Sequence, residues 1–147
     1  MTLRLADLYC IKLKMIEVST DKNRLEISKI HAFLTESYWA KGRTLRAVKK
    51  SIEHSLCFGL YLDKNLIGFA RISTDYTIFA YLMDVFILPD YRGHGYAKTL
   101  MKAIVEHAEL QSCHTWMLKT ADAHSLYEQF GFKELENPKI VMERIIK

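Results

Sequence analysis

Residues 78–99 constrain this chain more than any other stretch. Ile78 to Leu88 is its most apolar segment, interrupted by a single charge at Asp84, and reads as a strand buried on both faces. Pro89-Asp90 ends that strand. Next comes Arg92-Gly93-His94-Gly95, which places two of only six glycines one residue apart. Ala97, Leu100, Met101, Ile104, Val105 and Ala108 then recur at the spacing of an amphipathic helix. A helix that opens directly from a glycine turn presents first-turn N–H groups with no intrahelical acceptor. Those donors and the positive end of the helix dipole favour a bound anion. Gly93 and Gly95 remove side chains that would keep a phosphate from the backbone, and Arg92 and Lys98 add positive charge. The plainer reading is a tight strand-to-helix connection, which needs neither both glycines nor the flanking cations.

Two phosphate-binding motifs fail on spacing. Lys98-Thr99 supplies the end of a P-loop, but Ala97 stands where its glycine belongs. Gly93 and Gly95 begin a dinucleotide fingerprint, but Lys98 replaces the third glycine. The remaining elements do not form the repeated strand–helix–strand order of dinucleotide folds either. Tyr9 to Val18 alternates as a strand. Ser19, Thr20 and Asp21 offer helix caps before Ile27, Ile30 and Leu34. Thr44 caps a second helix carrying Leu45, Val48 and Ile52. Leu56–Leu62 and Leu66–Ser73 flank Asp63-Lys64-Asn65 as a hairpin. Thr115–Leu118 reads as a strand. Asp122 is positioned to cap a short helix bearing Leu126, Tyr127 and Phe130, which Gly131 terminates. Ile140, Val141 and Met142 suggest a last strand. The order β-α-α-β-β-β-α-β-α-β predicts an α/β (α+β) fold, with residues 1–147 as one domain. At 147 residues and 50% hydrophobic, such a chain builds a core without disulfides or metal.

The segment Arg92-Gly93-His94-Gly95-Tyr96-Ala97, preceded by an apolar strand and Pro89, resembles motif A of the GNAT acyl-coenzyme A N-acyltransferases. Element order matches that fold from first strand to last. A second match is Tyr127-Glu128-Gln129-Phe130-Gly131-Phe132, similar to the family's late Y-E-x-x-G-F segment. The resemblance implies a mixed, mostly antiparallel sheet flanked by helices. It also implies direct transfer of an acetyl group from acetyl-coenzyme A to a primary amine in a ternary complex, with no metal. The alternative is a domain of this fold that binds an acyl-coenzyme A without significant turnover. By the same resemblance, main-chain N–H groups of Arg92, Gly93, His94, Gly95, Tyr96 and Ala97 hold the pyrophosphate, and the Lys98 side chain faces the coenzyme phosphates. The main chain at Phe86 and Ile87 pairs with the pantetheine arm and polarises the thioester. Tyr127 protonates the leaving thiolate; read without the resemblance, it is a core aromatic on a short helix. The His94 side chain reads as an exposed loop histidine rather than a phosphate contact.

The general base is expected at Asp84, the lone charge of its strand, where burial would raise its pKa. An equal reading makes Asp84 a structural carboxylate paired with Arg71. Glu36 and Asp75 are weaker candidates. The acceptor is expected against Glu36, Tyr38 and Trp39, near Phe33, Lys41 and Arg43. Glu36 would suit a cationic amine and Arg43 an acidic group, so no substrate is assigned. The net charge of +4 falls short of a nucleic-acid-binding stripe. Charges interrupt every apolar run before it reaches ~18 residues, so no membrane span is expected. Cys10, Cys57 and Cys113 are odd in number with no CxxC spacing, which reads as a cytoplasmic protein. Cys10 and Cys57 read as buried small hydrophobes, with a catalytic thiol as the alternative for one of them. Cys113-His114 lacks a second pair at zinc-ligand spacing. Either a monomer or a homodimer is compatible with these features.

Overall fold

The computed structural model describes residues 14–146. Five strands form one sheet in sequence order: β1 (Ile16–Ser19), β2 (Leu56–Leu62), β3 (Asn65–Thr74), β4 (Phe79–Ile87) and β5 (Thr115–Leu118). The first four pair antiparallel, and β5 joins β4 in parallel. Four α-helices accompany them: α1 (Ile27–Glu36), α2 (Leu45–Glu53), α3 (Tyr96–Val105) and α4 (His124–Glu128). No helix of the described residues is long and apolar enough to cross a membrane.

The alternation of β2 explains the layers. Phe58 and Leu60 face one side and pack with Leu100, Met101 and Ile104 of α3. Cys57 and Tyr61 face the other and pack with Ile30 and Leu34 of α1 and Val48 and Ile52 of α2. Both faces are covered, so every residue of β2 is buried. The three buried α3 side chains each contribute about 1.5–3 kcal/mol by leaving water. Helix α2 is held at its start as expected, with Ala47 N donating to Thr44 Oγ1 at 3.2 Å.

Strand β4 breaks its own alternation. Ala80 and Leu82 share the α3 face with Ile87, while Phe86 turns to the α1–α2 face. The parity changes at a bulge: Arg71 pairs with Met83 but Phe69 with Phe86, so β4 advances one residue more than β3. Asp84 lies in this bulge with φ 55°, a left-handed conformation that Asp tolerates better than most residues.

Three local expectations are corrected. Ile140, Val141 and Met142 form no strand. Pro138 opens a 3-10 turn over Pro138–Ile140, the residues beyond it pair with nothing in the sheet, and Met142 is 96% exposed. Alternating apolar residues satisfy the strand pattern without supplying a ladder partner. Asp21 caps a 3-10 turn at Lys22–Arg24 rather than α1, which starts later. Asp122 does not cap α4: the cap position is Ala123, whose N–H is bound by Thr120 Oγ1 at 3.0 Å. Cys10 and the Tyr9–Leu13 part of the first expected strand lie outside the described residues.

Candidate active site

The β4–β5 ladder runs only from Phe79–Leu82 on one strand to Thr115–Leu118 on the other. Strand β4 continues to Ile87 and β5 stops, so the edge of β4 beyond Leu82 has no ladder partner among the described residues. A cleft of about 440 Å³ opens at this divergence, lined by Tyr38, Trp39 and Arg43 and by residues 118–123 with Tyr127. The bulge at Asp84 sits in its floor.

The strand then leads into the glycine turn. Leu88 N donates to Ile67 O at 2.8 Å, and Arg92 N to Pro89 O at 3.2 Å. Gly93 and Gly95 adopt φ 80° and 78°, which a side chain would strain. Nothing lies within 4 Å of a Cβ built at either position, so backbone conformation and not crowding requires glycine there. From Gly93 to Lys98 no N–H has a main-chain acceptor; the first is Thr99 N, which donates to Gly95 O at 3.2 Å. This row opens into a hollow of about 260 Å³, whose far wall is Ser125, Leu126 and Gln129 of α4 and its end. Unpartnered donors, a helix N-terminus and space, the parts of an anion cradle, are present from Gly93 onward, but the Arg92 N–H, expected in the same row, is taken by Pro89 O. Lys98 and His94 are exposed beside this row. Arg92 is turned back, with Nε donating to Ile87 O at 3.0 Å and its guanidinium 5.9 Å from the Phe33 ring. Its side chain braces the turn, and one of the carbonyls expected to serve the pantetheine arm is already occupied.

Tyr127 lies in the cleft wall, 9% exposed. Burial pushes its hydroxyl up to about 12, with Tyr38 and Asp122 adding smaller contributions of the same sign. Gly131, at φ 87°, ends the turn that carries it.

Asp84 is 5% exposed, and both carboxylate oxygens are engaged. Oδ2 accepts from Arg43 Nη1 at 2.7 Å and Arg71 Nε at 2.9 Å, and Oδ1 accepts from Trp39 Nε1 at 3.2 Å. The pairing with Arg71 weighed against the base reading is present, and two partners from the α1–α2 connection join it. The other acidic candidates are elsewhere. Asp75 closes a turn, accepting from the N–H groups of Ile78, Phe79 and Thr77, which hold its carboxyl below the usual range. Glu36 does not line the cleft.

Tyr38 and Trp39 do line it, in edge contact at 5.0 Å. The Tyr38 hydroxyl donates to Asp122 Oδ1 at 3.4 Å. Asp122, read from the sequence only as a helix cap, is thus a cleft carboxylate, and it makes no ion pair among the described residues. No local signal distinguishes the two roles, because Asp before a helix serves either. Cys57 is inert by environment: burial pushes its thiol up to about 11.

Residues 22–132 match the sequence profile of the Acetyltransferase (GNAT) family. A crystal structure of a Xanthomonas campestris pv. campestris protein assigned to that family is 45% identical, with a TM-score of 0.87 over 90% of this chain and 94% of the other. The chain is 30% identical to the uncharacterized N-acetyltransferase ycf52 of Porphyra purpurea, over 83% of this chain and 72% of the relative. It is also 30% identical to the spermine/spermidine N(1)-acetyltransferase of Bacillus subtilis (strain 168), over 80% of this chain and 86% of the relative.

Proposed function

This chain belongs to the Acetyltransferase (GNAT) family, and we propose that it moves an acetyl group from acetyl-coenzyme A directly to a primary amine bound in the β4–β5 cleft. The observation that carries this reading is the row of unpartnered N–H groups from Gly93 to Lys98, which follows the turn after β4, whose open edge runs along the cleft that Tyr127 lines. In this reading the row binds the coenzyme pyrophosphate. The β4 edge past Leu82, including Phe86 and Ile87, receives the pantetheine arm as an added strand. An N–H of that edge polarises the thioester carbonyl, a contact worth about 3–4 kcal/mol to the transition state.

Proton energetics assign the remaining roles. An alkylammonium of pKa ~10.4 transfers its proton to a carboxylate of pKa ~3.9 only at a cost of about 9 kcal/mol. A carboxylate therefore attracts the ammonium, and the proton reaches bulk water before attack. Asp122 is the carboxylate available for this, whereas Asp84 is a positioning residue, held by Arg43, Arg71 and Trp39. The free amine attacks the carbonyl carbon, the C–S bond breaks, and the amide nitrogen sheds its second proton as the thiol gains one. With its hydroxyl near 12, Tyr127 yields a proton to a thiolate of pKa ~8.5 only at about 5 kcal/mol. It acts as a hydrogen-bond donor to the leaving sulfur, permanently protonated at working pH. The same proposal takes residues 1–147 as one domain and the cytoplasm as its compartment, where the buried thiols Cys57 and Cys113 stay reduced.

Thermal unfolding with added ligands tests the assignment. Acetyl-coenzyme A should raise the melting temperature by mass action, and ATP and NAD should raise it far less. Equal shifts from all three would contradict it.

A further inference from the structure

We propose that the acceptor carries an oxyanion group, carboxylate or phosphate, beside its reactive amine, and that Arg43 binds that group. The inference rests on the acetyl-transfer reading for what occupies the cleft, and it adds the chemical class of the acceptor.

The starting point is a charge imbalance. Two guanidiniums converge on the one carboxylate of Asp84, so the cluster keeps one positive charge unmatched. The two arginines are not used alike. Arg71 is spent: besides Asp84, its Nη1 donates to Ser55 Oγ at 3.1 Å and its Nη2 lies 3.5 Å from Met83 Sδ, with 11% of the side chain exposed. Arg43 gives only Nη1 to Asp84, and the other N–H groups of its guanidinium have no protein partner among the described residues. Its side chain is 25% exposed and lines the cleft. Arg71 and Trp39 already serve Asp84, so a second guanidinium there exceeds what the carboxylate needs.

Arg43 is also fixed in place. Its N–H donates to Ala40 O at 2.9 Å, its carbonyl lies 3.0 Å from His31 Nε2, and Thr44 beside it caps α2. A guanidinium anchored at one nitrogen, with its remaining donors open to a cleft, is preorganised for the fork geometry of a carboxylate or phosphate.

The opposite charge lines the same cleft. Asp122 sits five residues before Tyr127 and carries no ion pair among the described residues, while the nearby Lys119 is taken by Glu143. An amine held at the Asp122–Tyr127 side, with its oxyanion at Arg43 and its body along Tyr38 and Trp39, matches both charges. A polycation matches only one. The acceptor class thus departs from the polyamines that the name of the Bacillus subtilis relative assigns to that protein.

The test uses matched pairs in the presence of coenzyme A: lysine against cadaverine for the carboxylate, and O-phosphoethanolamine against ethanolamine for the phosphate. Spermidine is the polycation control. Binding is read by calorimetry and turnover by thiol release. In at least one pair the oxyanion-bearing member should bind about 10- to 100-fold more tightly, the range of one charge-assisted contact. The pair that discriminates identifies the group. Arg43→Gln should bring that ratio near one, and Arg43→Lys should recover part of it; coenzyme A affinity reports that each variant is folded. Equal binding within both pairs, no measurable binding of any member, or tighter binding of spermidine would overturn the inference. A ratio unchanged in Arg43→Gln would overturn the role of Arg43. Discrimination without thiol release would leave the oxyanion site standing and remove acetyl transfer; thiol release with spermidine alone would do the reverse.

Discussion

In the proposed reading, coenzyme binding falls to consecutive main-chain N–H groups from Gly93 to Lys98, on one turn and one helix start. At the acceptor end, Trp39 and Arg43 from the α1–α2 connection, Arg71 from β3 and Asp84 from β4 meet through side chains alone. The first region is local and tolerant of side-chain identity away from its glycines. The second depends on four residues separated by up to 45 positions, and on one buried carboxylate at their centre. The difference teaches where each end is vulnerable: the cradle to backbone conformation, the acceptor end to the loss of one counter-charge.

The largest effect should come from the acceptor end. Asp84→Ala leaves two poorly exposed guanidiniums facing one another, and breaking such a buried pairing costs about 3–5 kcal/mol. Urea unfolding checks this; a loss below ~1 kcal/mol would mean that the cluster is solvated and the contrast with the cradle is false. Tyr127→Phe comes next. Turnover should fall ~10²-fold with coenzyme affinity nearly intact, since only the hydroxyl proposed to donate to the leaving sulfur is lost. Equal losses in both would move Tyr127 into coenzyme binding.

A pH series sharpens the same residue. Because burial raises its hydroxyl to about 12 in the folded protein, the unfolded chain loses this proton first, near 10. Stability from Tyr127 is therefore complete below pH 10 and lost between pH 10 and 12, by about 2–3 kcal/mol. Tyr127→Phe should flatten that alkaline fall, and an equally steep fall in the variant would assign it to other groups. The smallest effect belongs to the cradle. Gly95→Ala forces a Cβ into a left-handed conformation for about 1–2 kcal/mol, with no steric clash to add. A loss near zero in denaturant unfolding would show that the turn relaxes.

The same contrast explains what could be read without coordinates. The glycine turn, the short helix that carries Tyr127 and the Thr44 cap were legible because each depends on neighbours within a few positions. The layered sheet was legible because β2 and β4 are apolar enough to require cover on both faces. Asp84 was visible as an anomaly, yet its surroundings were not. Nothing local announces that an aspartate will take φ 55° and bulge its strand, or that Arg43 and Trp39 will fold back onto it. Asp122 was hidden by a competing local role. The expected strand at Ile140–Met142 failed for the complementary reason: a pattern specifies which side chains want cover but not whether an edge is there to pair with.

Mass analysis of the reaction with acetyl-coenzyme A and a panel of primary amines addresses the central claim most directly. Acetylated amine should appear in step with released thiol, with the protein mass unchanged. Thiol release with no acetylated amine, or an acetyl group retained on the protein, would contradict direct transfer.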